Sequence, residues 1–292
     1  MERTGGTVLA VDVGGTKLAA GRVTAAGELV ARAVAPTPTG GGGDAFLAAL
    51  VGVIDEVRGG DELGCGVGCG GPMLPGGEEV SPLTNPQVRD FPLRSRLREA
   101  LGLDVWVDND AKALALGEGW AGAAIGERNF IAMVVSTGVG GGIVLDGRLL
   151  DGALGNAGHI GHVIVEPDGR LCPCGARGCL EGEASGPSIR AATGRPAAEA
   201  SVEVRRRTGT LVGRAVASVV NLLDLRLAVV AGSVALGYGD DFFAAAQQEL
   251  DGRSRLGFSR GAVVRPAGLG AAGPLVGAGA VAWQYLGVPV LG

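Results

Sequence analysis

Apolar residues follow two rhythms along this chain of 292 residues. Short β-branched runs closed by glycine alternate with stretches in which apolar residues return every three or four positions. The run "TVLAVDVGGTKLAAGRVTAAGEL" (7–29) reads as a strand, a Gly-rich turn and a second strand ending in another Gly turn. "FIAMVVSTGVGGGIVLDGRLL" (130–150) repeats that plan roughly 125 residues later, so the chain reads as duplicated. Between the copies, "GDAFLAALVGVIDEVRGG" (43–60) has helical spacing and a Gly pair as its stop. A short strand, "GCGVGCGG", and a loop whose prolines argue against regular structure, 71–92, come next. Helix "LRSRLREALG", strand "DVWVDND" and helix "AKALALGEGWAG" follow. Beyond the second copy, the segment from Ser185 to about Asp224 reads as mostly helical, "LAVVAG" as a strand and "AAGPLVGAGAVAWQYLG" as a closing helix. Alternating strands and helices predict an α/β architecture in two lobes. The boundary falls near Gly117: residues 1–116 form a small lobe, joined by the closing helix at 273–288, and 117–272 form a large one.

Composition narrows the class. With 47% apolar and 19% charged residues, a sizeable core is available. No apolar run reaches the length of a membrane span, and "MERTGGTVLA" lacks a signal peptide's basic start and apolar stretch; the expectation is a cytoplasmic protein with no membrane partner. A net charge of −5 leaves no basic footprint for nucleic acid. Five cysteines is an odd number, and three of them cluster close to both histidines of the chain. In a reducing compartment such a cluster binds metal more readily than it forms disulfides.

Four motifs carry chemistry. "DVGGTK" follows a strand, so its backbone N–H groups can line a concavity for phosphate oxygens; it is not the P-loop pattern, because a strand follows instead of a helix. Taken alone, it reads equally well as a tight hairpin turn. The second copy, "STGVGGG", shifts the balance: two Gly-rich turns with Thr16 and Thr137 beside the glycines can grip a polyphosphate from two sides. "VDNDAK" ends a strand and opens a helix, so Asn109 and Asp110 are either N-caps or cleft residues, and an aspartate there can accept a proton in phosphoryl transfer. His162, Cys172, Cys174 and Cys179 are spaced H-x9-C-x-C-x4-C, with Pro173, Gly175 and Gly178 as turns. Four N and S ligands suit tetrahedral, structural Zn²⁺. Cys65 and Cys69 read as small core residues.

With these pieces the chain resembles the ROK family of bacterial sugar kinases and repressors. The resemblance rests on "VDVGGTK", "VDNDA", "STGVGGGIV" and "GHIGHVIV…GRLCPCGARGCLEGEASGPSI", with "VVAGSV" and "GLGAAGPLVGAGA" fitting the nucleotide end. It implies an actin/hexokinase-like (ribonuclease H-like) ATPase fold, α/β, two-lobed, with a cleft between the lobes. It implies a kinase that moves the γ-phosphoryl group of ATP to the 6-hydroxyl of glucose or a closely related hexose, with structural Zn²⁺ and with Mg²⁺ accompanying ATP. Carried over by position, Asp110 is the general base, and Asn109, His159, His162 and Glu181 hold sugar hydroxyls, His162 with one ring nitrogen on zinc. Gly71 and Asn85 lie in the sugar-facing loop. Gly14, Gly15, Thr16, Lys17, Thr137 and Gly138 meet ATP phosphates, Asp12 helps place Mg²⁺, and Gly232 and Ser233 border the adenosine. A homo-oligomer, dimer or tetramer, is implied as well.

Two departures bear on function. Family repressors look like this chain with an added N-terminal helix-turn-helix segment; no such segment precedes the first phosphate loop here, which favours the kinase over a sugar-sensing regulator. Family members acting on glucose look like Gly-Glu-x-Gly-His where this chain has Gly158-His159-Ile160-Gly161-His162. Either the imidazole of His159 replaces the carboxylate on the same hydroxyl, or the pocket takes an amino or N-acetylamino hexose.

Overall fold

The structure is a computed structural model that describes residues 5–82, Asn85 and 88–292. The chain forms two compact units. The first comprises residues 1–126, Leu149–Ala157 and Gly268–Gly292, and the second Glu127–Arg148 and Gly158–Ala267.

The first unit is built on strands β1 (Thr7–Val13), β2 (Lys17–Thr24), β3 (Leu29–Pro36), β4 (Glu62–Cys69) and β5 (Val105–Asn109), in the order β3-β2-β1-β4-β5. The β1–β2–β3 meander is antiparallel, and β4 and β5 extend it in parallel. Residues on β1 alternate between faces. Leu9, Val11 and Val13 pack with α1 (Gly42–Asp55) and α2 (Leu93–Leu101), while Val8 and Ala10 pack with α3 (Asp110–Ala121) and α9 (Gly273–Tyr285). Helix α1 buries Phe46, Leu50, Val53 and Ile54 on one stripe. Helix α9 is apolar on all sides and buried along most of its length. It lies so close to the sheet that a Cβ on Gly66 would fall 1.9 Å from the carbonyl oxygen of Ala278. Cys65 and Cys69 are core residues with no exposed surface. Helix α3 runs unbroken through Gly117, which faces Gly277 of α9, so the first unit extends to Gly126.

The second unit repeats the plan. Strands β6 (Phe130–Val135), β7 (Val139–Leu145), β8 (Arg148–Leu149), β9 (Leu227–Ala231) and β10 (Val263–Pro266) are ordered β10-β9-β6-β7-β8, the first sheet's order with the corresponding strands in place. The β6–β7 pair is antiparallel, and β9 and β10 add in parallel. The internal repeat is therefore a repeat of topology. The helical stretch resolves into α4 (Leu180–Ala184), α5 (Gly186–Thr193) and α6 (Val202–Leu223), with Gly194 and Pro196 ending α5 and Ser201 capping α6. Helices α7 (Ser233–Tyr238) and α8 (Asp240–Arg253) follow, α8 packed on α6. Among the described residues no helix is long and apolar enough to cross a membrane.

Candidate functional site

In the first unit the candidates gather at the C-terminal ends of β1, β4 and β5. Register places Asp12 beside Gly68, and Gly68 beside Asp108, so β4 contributes no side chain between them. The β1–β2 turn is closed by Gly14 N–H donating to Lys17 O at 3.0 Å and by Thr37 Oγ1 donating to Gly14 O at 2.8 Å. Gly14 and Gly15 are half-buried, and Thr16 and Lys17 exposed. A strand leaves this turn, as expected for a phosphate loop of the hairpin kind.

The β5–α3 junction separates two roles that the sequence leaves open. Asn109 is the N-cap of α3, its Oδ1 accepting from Ala111 N–H at 3.0 Å and Lys112 N–H at 3.4 Å. Asp110 is the first helical residue: Oδ1 accepts from Ala111 N–H at 2.8 Å, while Oδ2 is the nearest side-chain oxygen above Gly70, where a Cβ would meet it at 4.0 Å. A Cβ at 68 would stand in van der Waals contact with Asp110 Cα and Ala113 Cβ, both at 3.5 Å. Burial, then the negative charge of Asp110, raises Asp12 to about 7, against the pull of Lys17 and Arg32. Two carboxylates that repel one another in a buried setting form a place for a cation. Gly71, next in the loop, precedes Pro72. Asn85 is 4% exposed; its carbonyl and that of Pro82 accept from Arg89 Nη1, while its Nδ2 is buried with no acceptor among the described residues.

The second unit holds the other candidates. Thr137 and Gly138 form the β6–β7 turn, closed by Ser136 N–H donating to Gly138 O at 2.9 Å. Gly232 ends β9, and Ser233 opens α7 with its Oγ 2.9 Å from Ser136 Oγ. The structure thus brings Ser233 to the second Gly-rich turn and adds Ser136, which sequence reasoning missed. Glu181, in α4, accepts from Val139 N–H at 2.9 Å, so its carboxylate also faces that turn.

His162, Cys172, Cys174 and Cys179 converge with all ligand atoms within 4.8 Å of one another. Cys174 Sγ lies 3.7 Å from Cys179 Sγ, and Cys172 Sγ 3.8 Å from His162 Nδ1. Zinc–sulfur bonds of about 2.3 Å put the corners of a regular tetrahedron about 3.8 Å apart, so the cluster has the dimensions of a four-ligand site. The backbone permits this through Gly178, at φ 72°, where a Cβ would strike the carbonyl of Glu166. Burial raises the Cys172 thiol and pushes Cys179 up to about 12; a divalent ion in the cluster would reverse that. With Nδ1 turned to the sulfurs, Nε2 of His162 is the nitrogen left for another partner. His159 is exposed, its ring 6.0 Å from that of His162.

The sequence matches the ROK family over residues 8–284. It is 36% identical, over 271 residues, to the N-acetylmannosamine kinase of Yersinia pseudotuberculosis serotype O:1b (strain IP 31758), spanning 86% of this chain and 91% of that protein. The ROK hexokinase of Thermus thermophilus is 34% identical with a TM-score of 0.79, over 96% of this chain and 99% of that one. A ROK family glucokinase from Streptomyces griseus, solved with glucose and AMPPNP, is 29% identical with a TM-score of 0.83, over 96% and 100%. The fold is the actin/hexokinase-like α/β architecture. The chain belongs to the ROK family.

Proposed function

We propose that the protein is an ATP-dependent hexose kinase that phosphorylates the 6-hydroxyl of glucose or a closely related hexose. The observation that carries this reading is Asp110, fixed through one oxygen on a helix N-terminus beside half-buried Asp12. A protein that only sensed sugar would need no base there. Kinship with a glucokinase and a hexokinase favours glucose. Kinship with an N-acetylmannosamine kinase, together with His159, favours an N-acetylated hexosamine as the second reading.

In this reading Asn109, His159, His162, Glu181, Gly71 and Asn85 hold the acceptor sugar. Asp110 takes the proton of the 6-hydroxyl as that oxygen bonds to the γ-phosphorus and the bond to the bridging oxygen of ADP breaks. Gly14, Gly15, Thr16, Lys17, Thr137 and Gly138 cradle phosphate oxygens through backbone N–H groups, hydroxyls and the Lys17 ammonium. Gly232 and Ser233 border the adenosine. Mg²⁺ accompanying ATP, near Asp12, supplies neutralisation of phosphate charge. His162, Cys172, Cys174 and Cys179 would hold Zn²⁺ as a structural ion, which would fix the orientation of the His162 ring.

The test is ADP release with ATP and a panel of glucose, mannose, glucosamine, N-acetylglucosamine, N-acetylmannosamine and fructose, for wild type and Asp110→Asn. The expected result is one preferred hexose and loss of nearly all turnover in the variant, with sugar and ATP affinity within a few fold. Turnover above about a tenth of wild type, a barrier change of little over 1 kcal/mol, removes Asp110 from the role of base.

A further inference from the structure

The first turn of α3 carries a buried cation that the reaction above does not use. Lys112 is 3% exposed, and its Nζ lies 3.0 Å from Asp108, 2.6 Å from Asp151 and 3.4 Å from the carbonyl oxygen of Gly155. A lysine in the first turn faces the positive end of the helix dipole and is locally disfavoured. Its presence therefore points to a tertiary partner. Asp108, four residues back on β5, supplies one counter-charge within the β5–α3 junction. Asp151 supplies the other from the segment Leu149–Ala157, which belongs to the first unit. That segment is closed on itself, Ala157 N–H donating to Asp151 O at 2.9 Å and Asn156 Nδ2 to Leu154 O at 2.9 Å. Leu149 anchors its start in the apolar core. Burial pulls the Lys112 ammonium down, but the charges of Asp108 and Asp151 outweigh it and hold the group above its ordinary range. The lysine therefore stays charged at neutral pH, while burial raises the Asp108 carboxyl against the pull of Lys112.

Lys112 stands two residues after Asp110, and the segment it holds ends two residues before His159. We infer that Lys112 is a positioning residue: its bridge to Asp151 latches the 149–157 loop to the helix turn that carries Asp110, and so sets affinity for the acceptor sugar. The inference rests on the kinase reading. The latch acts on acceptor binding and leaves the phosphoryl-transfer step and the ATP contacts alone.

Asp151→Asn is the clean variant, because Asp151 is largely exposed and the Asp108–Lys112 pair survives its loss. The experiment measures sugar and ATP affinity by calorimetry, kcat at saturation with the preferred sugar, and hydrogen exchange, all on the full chain. Expected are sugar binding weakened at least about fivefold, ATP affinity and saturated kcat within about twofold, and faster exchange confined to 149–157. Asp151→Glu should recover part of the affinity, and Asp151→Asn should add nothing in a Lys112→Met background. Wild-type sugar affinity or wild-type exchange in Asp151→Asn overturns the latch while the kinase reading stands. A wild-type protein that binds none of the panel sugars overturns both.

Discussion

Asp12 sits where burial and a neighbouring carboxylate act in the same direction. Its pKa of about 7 lies well above the roughly 3.9 of an unfolded aspartate. Below pH 4 both states hold the proton. Between about pH 4 and 7 the unfolded chain gives it up while the folded protein keeps it. Stability of the ligand-free protein therefore falls as pH rises through that window, on the order of a few kcal/mol from this group, and stays reduced above it. Asp12→Asn removes the term. Its urea midpoint should match wild type near pH 4 and exceed it at pH 8, with Mg²⁺ narrowing the gap by favouring the carboxylate; equal offsets at both pH values would refute the assignment. His159 makes a second residue-scale test, because imidazole lacks the fixed charge and paired acceptor oxygens of a carboxylate. His159→Glu should reorder the panel sugars by kcat/KM. A ranking unchanged within about threefold, under 1 kcal/mol of discrimination, means the imidazole stands in for the carboxylate without altering choice.

At the scale of elements, close approach of backbones explains part of the glycine content. Helix α9 reaches β4 because Gly66 leaves room for the Ala278 carbonyl. Gly66→Ala should cost about 1–3 kcal/mol or more by overpacking, read as a lower urea midpoint with unchanged zinc content. An unaltered midpoint would mean that α9 shifts at no cost. Elements with a wide apolar stripe or a β-branched run, such as α1, β1 and β6, are legible in the sequence. Strand β3 is not: after Leu29 its inward positions are Ala31, Ala33 and Ala35, while the bulkier Val30 and Val34 point out, so over most of its length the alternation is inverted in hydrophobicity. Nor does periodicity assign α8, whose buried row is the single file Phe242, Ala246 and Leu250, or β10, which buries Val264 alone. The site divides similarly. The four cluster residues are legible because they fall within one short segment whose turns are written in Pro and Gly. The Lys112–Asp151 bridge spans 39 positions and the Ser136–Ser233 contact 97, and folding alone brings those partners together. The one local trace is the four-residue spacing of Asp108 and Lys112, an acid and a base on either side of the strand-to-helix junction.

At the scale of the whole molecule, a duplicated sheet has been dressed unequally. Both units carry the same strand order, yet the Cys/His cluster lies entirely in the second. Its surroundings are bonded to α6: Arg214 Nη1 donates to Val165 O at 2.8 Å and pairs with Glu166 at 2.7 Å, and Arg207 reaches the buried Glu183 at 2.8 Å. Loss of metal should therefore loosen the cluster and then α6, because ligand convergence is coupled to folding. The first unit has its own core above and below its sheet and no share in the four ligands. Cys174 is the exposed member of the set, so Cys174→Ser removes a ligand while disturbing little packing. Wild type purified without chelator should hold about one Zn²⁺ per chain and the variant less than about a tenth of that, by elemental analysis. Hydrogen exchange in the variant should quicken between Gly158 and α6 while the amides of β1, β4 and β5 keep their protection. Zinc-free wild type would remove the metal from this account, and loss of protection spread evenly over both sheets would show that the cluster stabilises the chain as a whole instead of the unit that contains it.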